Sequence, residues 1–204
     1  MHVIDGVLSQ EVIAASTVLA AAGTAVGLKQ AGGEKLPRVA LLGAVFFVAA
    51  LVHMPVGPSS VHFILNGLIG LILGWAVFPA MLVALMLESV FFGFGGLTVI
   101  GVNVLNIALP AVAVHYAFRG GVMAENPVVA GVSAFAAGSL ALILTAALVS
   151  IDLTLSGEGL VAAARMVFVT HLPLMVAEGF LAVVAVSALR RVKPAALTGA
   201  VGQG

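Results

Sequence analysis

Residues 128–150 read VVAGVSAFAAGSLALILTAALVS and contain no charged side chain. A helix needs about 20 apolar residues to cross the roughly 30 Å hydrocarbon core of a bilayer, so this stretch is long enough for one crossing. Six further apolar stretches predict helices of the same kind, of which the fourth is short: residues 10–28, 38–54, 60–78, 80–92, 97–118 and 161–189. The sequence therefore predicts a single-domain, all-α polytopic membrane protein (residues 1–204) with seven transmembrane helices.

The composition supports this environment and excludes other classes. Hydrophobic residues make up 62% of the 204 residues and charged residues only 8%, which excludes a water-soluble domain. The eight basic and eight acidic residues give a net charge of zero, which argues against a nucleic-acid partner. The chain contains no cysteine, so disulfides, thiolate metal sites and iron–sulfur clusters are excluded.

The basic residues predict the orientation in the membrane. Arg165 lies inside the stretch 161–189, and in a seven-helix chain the other seven basic residues all fall on one side: Lys29, Lys35, Arg38, Arg119, Arg190, Arg191 and Lys193. The positive-inside rule makes that side cytoplasmic, so residues 190–204 form a cytoplasmic tail. The N-terminus and the loops near 55–60, 93–97 and 151–159 are then outside.

The first two residues, Met1 and His2, form a chelating pair. The free amine, the following amide nitrogen and the imidazole can close two fused rings on one metal ion, with the three nitrogens nearly in a plane. A fourth nitrogen would complete a square-planar site, which favours Ni(II) or Cu(II) over Zn(II). The dipeptide alone is weak evidence, because most second-position histidines bind nothing.

Two histidines near the predicted outer surface can supply that fourth nitrogen. His53 and His62 flank the segment MPVGPSSV, in which two prolines and a glycine interrupt the hydrophobic pattern. A lone histidine at a helix end is more often an interfacial residue than a ligand. Two histidines on the same side as a chelating N-terminus make a stronger case.

Polar residues inside the apolar stretches should face the interior of the bundle, because ionisable groups are costly in lipid. Glu88, Asn103 and Asn106 flank the glycine-rich turn at 93–96, where they are predicted to orient the ligand imidazoles. Hydrogen bonding between helices is an equally good account of them. His171 and Glu178 are two turns apart on one helix and are predicted to line a common seam.

Four blocks of sequence resemble one transporter family, the substrate-binding S components of energy-coupling-factor transporters for nickel and cobalt, called CbiM or NikM. The blocks are MHVIDGVLS (1–9), MPVGPSSVH with LNG (54–67), LESVFFGFGGLT with GVNVLN (87–106), and THLP with EG (170–179). They cover nearly the whole chain in the family's order.

The resemblance implies a ligand set. The metal would be held by the amine of Met1, by the amide and imidazole nitrogens of His2, and by a histidine that corresponds by motif position to His62. Residues 1–9 would be a metal-binding segment inserted into a seven-helix bundle. His53 is not assigned to a family ligand position and is predicted to lie around the site with Glu88, Asn103 and Asn106. Glu88 stands where the family commonly has Gln, and its charge would either counter that of the ion or only hydrogen-bond a helix end.

The resulting functional prediction is a multi-pass protein of the cytoplasmic (inner) membrane that captures Ni(II) or Co(II) as a transported substrate, with no cofactor of its own. The chain has no nucleotide-binding motif, so it is predicted not to be an enzyme and to depend on separate ATPase subunits. The resemblance adds a scaffold transmembrane (T) subunit and often a small accessory membrane subunit. The alternative is a membrane metalloenzyme that activates water. A saturated square-planar site without a general base argues against it.

Overall fold

The computed structural model describes residues 3–56 and 59–198. Their regular secondary structure is helical apart from one short antiparallel hairpin. The elements are α1 (Gln10–Ala50), β1 (His53–Val56), β2 (Ser59–His62), α2 (Asn66–Leu73), a 3-10 turn (Gly74–Ala76), α3 (Val77–Phe92), α4 (Ile100–Val122), α5 (Pro127–Ser156), a 3-10 turn (Glu158–Leu160), α6 (Val161–Val192) and α7 (Ala195–Thr198).

Within the described residues, five helical runs are long and apolar enough to cross a membrane. They are Gln10–Ala50, Asn66–Phe92, Ile100–Val122, Pro127–Ser156 and Glu158–Val192. The prediction of a polytopic helical membrane protein is therefore confirmed, whereas this count does not confirm seven crossings. The first run has 41 residues, which would make a straight helix about twice as long as the hydrocarbon core is thick.

The backbone of α1 folds back at Gly32. Gly32 has non-helical dihedral angles (φ 56°, ψ 174°) and separates a first arm, residues 10–31, from a second arm, residues 33–50. Gly27 of the first arm packs on Trp75 and Pro79, while Gly43 of the second packs on the adjacent Ala80. Both arms therefore lie beside the start of α3, which a straight helix could not achieve. The two arms correspond to the helices predicted at 10–28 and 38–54, and the residues between those predictions are also helical except at Gly32.

A second reversal occurs at Gly74, between α2 and α3 (φ 56°, ψ −129°). Along α2, Gly70 packs on Ala111 and Gly74 on His115, so α2 runs in the same direction as α4. α3 joins α4 through the loop 93–99 and therefore runs the opposite way. The single helix predicted at 60–78 is wrong, because its mostly apolar sequence conceals the end of β2, an irregular segment at 63–65 and the turn at Gly74.

The interior of the bundle is apolar and draws on every long helix. Its largest buried side chains include Phe46, Phe78, Met81, Leu142 and Leu174. A separate apolar cluster at one end joins Val3 and Leu8 to the starts of α4 and α6 and the end of α5. The N-terminal segment, residues 3–9, therefore packs against this end of the bundle.

Candidate metal centre

The N-terminal segment is anchored to α4 by Asn103. The Val3 amide donates to Asn103 Oδ1 at 2.9 Å, and Asn103 Nδ2 donates to the Val3 carbonyl oxygen at 3.0 Å. Both residues are buried, with 5% and 4% of their surfaces exposed. A reciprocal amide pair fixes both the position and the direction of the peptide, because each group is a donor and an acceptor at once. Val3 directly follows His2, so this pair fixes the chain next to the predicted chelate.

Two further contacts hold the same segment. Asp5 Oδ1 accepts from the amide of Thr98 at 3.2 Å and also from the Thr98 hydroxyl. Gly96 approaches the Asp5 carboxylate so closely that a Cβ atom would overlap it. The Ser9 amide donates to Ser156 Oγ at 3.1 Å. Residues 3–9 are thus attached to α4, to the loop 93–99 and to the end of α5.

His62 ends β2 and is buried, with 6% of its surface exposed. Its Nδ1 lies 3.1 Å from the carbonyl oxygen of Phe63. Because a carbonyl oxygen only accepts hydrogen bonds, Nδ1 is the protonated nitrogen in this arrangement. His53 of β1 is the Cα partner of His62 in the hairpin register.

The chain just after His62 is held by Glu178 of α6. Glu178 Oε1 accepts from the amides of Ile64 at 2.5 Å and Leu65 at 3.0 Å. Leu65 has a positive φ of 53°, the only non-glycine residue of the described chain that does. The carboxylate therefore supports a locally strained backbone where the chain turns into α2.

The other predicted polar residues are also buried within the bundle. Asn106 Nδ2 donates to Asp152 Oδ2 at 2.6 Å, so Asn106 links α4 to α5. Glu88 is completely buried on α3. His171 and Glu178 are both buried on α6, and their hydrogen-bond partners differ: the Val167 carbonyl oxygen for His171 and the chain after His62 for Glu178.

The predicted ligand set is only partly covered by the structure. Met1 and His2 lie outside the described residues, and within the described ones no group of three or more His, Asp or Glu side chains is arranged to hold a metal. Sequence reasoning selected Asn103 but not its contact with Val3, and it did not identify the contact between Glu178 and the chain after His62. The available signal for both contacts was that Asn103 and Glu178 are polar residues inside apolar stretches.

Comparison with known proteins places these features in a family context. Residues 2–196 match the family model CbiM, described as the cobalt uptake substrate-specific transmembrane region. A Haemophilus influenzae protein provisionally named a metal transport protein is 41% identical over 199 residues, which cover 95% of each chain. The cobalt transport protein CbiM of Sorangium cellulosum is 32% identical, covering 78% of this chain and 74% of its own.

A longer relative and a solved structure extend the comparison. The fused nickel transport protein NikMN of Rhodobacter capsulatus is 34% identical over 72% of this chain, which corresponds to 46% of the fused protein. The crystal structure of a truncated transition metal transporter has the same fold, with a TM-score of 0.75 and 22% identity over 93% of this chain and 98% of that one.

Proposed function

The chain belongs to the CbiM family of cobalt-uptake transmembrane regions, and on that premise we propose that it captures Ni(II) or Co(II) with high affinity as the substrate-binding subunit of an energy-coupling-factor transporter. The observation that carries this proposal is the reciprocal hydrogen-bonded pair between Asn103 and Val3. It holds the residue after His2 inside the end of the bundle, where a chain terminus otherwise has no reason to be fixed.

The proposed ligands are the amine of Met1, the amide and imidazole nitrogens of His2, and the imidazole of His62. Three of these nitrogens belong to two consecutive residues, so their geometry depends on how the next residue is held. Val3 is held by two hydrogen bonds, and His62 is buried with Nδ1 directed at a carbonyl oxygen. Such outer contacts are what fix ligand orientation in metal sites. Glu88, Asn103 and Asn106 are proposed to surround the site and His53 to lie beside it.

Seven membrane crossings are proposed from the two reversals. Folding back at Gly32 and at Gly74 divides the first two helical runs into four segments, and α4, α5 and α6 add three. An odd number of crossings places the N-terminus and residues 190–204 on opposite sides. We assign the N-terminus to the outside by the positive-inside rule. α2 is short, and the irregular backbone before it is covered by protein, as irregular backbone at membrane depth must be.

Energy for transport is proposed to come from partner subunits. The partners would be a scaffold transmembrane subunit, a pair of ATPase subunits and a small accessory membrane subunit, assembled in the cytoplasmic membrane. The fused name of one relative supports an association of this kind of chain with further components. No observation favours the metalloenzyme alternative, and the relatives reported above are named transport proteins.

The test is metal binding by the purified chain with its native N-terminus in detergent. We expect one Ni(II) or Co(II) per chain by isothermal titration calorimetry, with Kd of about 1 μM or tighter for at least one ion. Ca²⁺, which prefers oxygen ligands, serves as the control and should not bind. Absence of stoichiometric binding for both transition metals, or equal binding of Ca²⁺, would contradict the proposal.

A further inference from the structure

The peptide group between Phe63 and Ile64 is hydrogen-bonded at both edges. Its carbonyl oxygen lies 3.1 Å from His62 Nδ1, and its N–H donates to Glu178 Oε1 at 2.5 Å. The next N–H, that of Leu65, donates to the same oxygen at 3.0 Å. Because a peptide group is planar, fixing its N–H also fixes the direction of its carbonyl oxygen. A carboxylate on α6 therefore controls the acceptor that faces the His62 ring.

This control has a chemical consequence for His62. A neutral imidazole that donates from Nδ1 carries its lone pair on Nε2. Histidines that bind metals usually donate their other ring N–H to a carboxylate or a backbone carbonyl, which sets the tautomer and the ring orientation. In this protein both kinds of group contribute. The Phe63 carbonyl oxygen contacts the imidazole, and the Glu178 carboxylate holds the peptide group that carries this carbonyl.

We propose that Glu178 is a positioning residue that, through the Phe63–Ile64 peptide, holds His62 in the Nδ1–H tautomer with Nε2 as the metal-binding nitrogen. The part of this inference that concerns metal rests on the proposed role of His62 as a ligand. The part that concerns the tautomer stands on the hydrogen bonds alone and applies to the metal-free protein.

A competing role for a buried carboxylate is to balance the charge of the bound ion. Glu178 is 1% exposed, and no protein group of the described chain hydrogen-bonds its Oε2. The two roles require different properties of the Glu178 side chain. Positioning requires an acceptor at the right distance, whereas charge balance requires the negative charge.

Two substitutions separate these demands. Glu178→Gln removes the charge and keeps an acceptor oxygen at full reach, while Glu178→Asp keeps the charge and withdraws the oxygens by one methylene. Positioning predicts that Glu178→Gln stays within about threefold of the native Kd for Ni(II) and that Glu178→Asp weakens binding by about 10- to 100-fold. The reverse order, or equal losses in both variants, would overturn the proposal.

The control is Ser139→Ala. Ser139 Oγ donates to the Met175 carbonyl oxygen at 2.9 Å, so this substitution removes an α5–α6 hydrogen bond close to Glu178 without touching the segment after His62. It should leave the Kd unchanged. A loss equal to that of Glu178→Asp would show that the metal site responds to any weakening of this helix pair, and would overturn a specific role.

The tautomer is read directly in the metal-free protein by ¹⁵N NMR of labelled histidine, with the His62 signals assigned from the spectrum of His62→Ala. We expect Nδ1–H and an unprotonated Nε2 at pH 8 in the native chain and in Glu178→Gln, and mixed tautomers in Glu178→Asp. An Nε2–H tautomer in the native chain would overturn the inference. If His62→Ala leaves Ni(II) affinity unchanged while the tautomer pattern holds, the proposed ligand set fails and the positioning of the His62 ring stands.

Discussion

Asn103 and Val3 exchange two hydrogen bonds, at 2.9 Å and 3.0 Å, although they are 100 residues apart in the chain. The contact joins the side chain of a helix to the main chain of a terminal segment, so it specifies where the segment lies without restricting the Val3 side chain. Main-chain ligands need this kind of support, because their position follows from the path of the backbone. The contact therefore carries most of the structural case for an inserted N-terminus.

Replacing Asn103 with Leu should weaken Ni(II) binding by about 10- to 100-fold, the usual cost of losing a group that orients a ligand. The substitution removes the acceptor of the Val3 N–H and the donor to the Val3 carbonyl oxygen, and so leaves both buried main-chain groups unsatisfied. Calorimetric titration of the native-terminus protein measures the change.

Ser150→Ala is the matched control for Asn103→Leu. The single hydroxyl proton of Ser150 is shared between the carbonyl oxygens of Ala146 and Ala164, at 2.8 and 3.0 Å, so Ser150 links α5 to the start of α6, and none of its hydrogen bonds involves residues 3–9. The Kd of the Ser150→Ala variant for Ni(II) should stay within about twofold of the native value, which is equivalent to roughly 0.4 kcal/mol. Equal losses in the two variants would assign the effect of Asn103 to general stability of the bundle.

Adding three residues before Met1 should abolish high-affinity binding. A single added residue is unsuitable, because its amine, two amide nitrogens and the His2 imidazole would form a new four-nitrogen chelate. The extension converts a free amine into an amide, which no longer offers a neutral lone pair at the end of the chelate. The fold should persist, since residues 3–9 keep their contacts with Asn103, Thr98 and Ser156. Titration of the extended chain against one with the same three residues added after Gly204 tests this, and equal affinities would disprove the chelate.

His62→Ala should cost a large part of the affinity, about 100-fold or more, and His53→Ala much less. The two residues pair in the hairpin register, so both substitutions alter the same small element. The difference between them therefore reports on the ligand and cancels effects on the hairpin. A larger loss for His53→Ala would move the fourth nitrogen to that residue.

Gly70→Ala should destabilise the protein, whereas Gly120→Ala should not. A Cβ atom on Gly70 would lie 2.3 Å from the Ala111 carbonyl oxygen, while one on Gly120 meets nothing within 4 Å. Alanine is the better helix former by about 1 kcal/mol at both sites. Overpacking at Gly70 should outweigh this gain, with a net loss of about 1–3 kcal/mol. Thermal unfolding in one detergent compares the two, and equal melting temperatures would contradict the close approach of α2 to α4.

Helices that cross as one uniform apolar stretch were predictable from the sequence. The stretch predicted at 128–150 lies within α5, which begins at Pro127 behind the cap Asn126, whose Oδ1 accepts from the Val128 amide. The stretch predicted at 161–189 corresponds in the same way to α6. Length and hydropathy are sufficient to predict such helices, because each helix forms its backbone hydrogen bonds internally.

The region before α3 was not predictable in the same way. Its backbone leaves the helical path at Ile64 and Leu65, and the amides are satisfied by Glu178, more than 100 positions later in the chain. Hydropathy contains no information on such a distant partner. The same holds for the candidate site: motif resemblance selected His62 and Asn103, but their contacts with Phe63 and Val3 depend on how the helices pack.

Metal affinity should fall steeply between pH 8 and pH 6, because every proposed ligand must lose a proton. Reference pKa values are about 7.7–8.0 for an α-amine and about 6.5 for imidazole, and the amide nitrogen gives up its proton only to the metal. Protonation favours the metal-free form, so Kd should rise by at least about tenfold for each pH unit lost. The Ni(II) complex should be diamagnetic with a yellow d–d band, as expected for a square-planar four-nitrogen field. Calorimetry and visible spectra recorded at the same pH values test both. A Kd that is flat with pH, or a paramagnetic octahedral spectrum, would require oxygen ligands such as Glu88, since Asp5 is already bonded to Thr98.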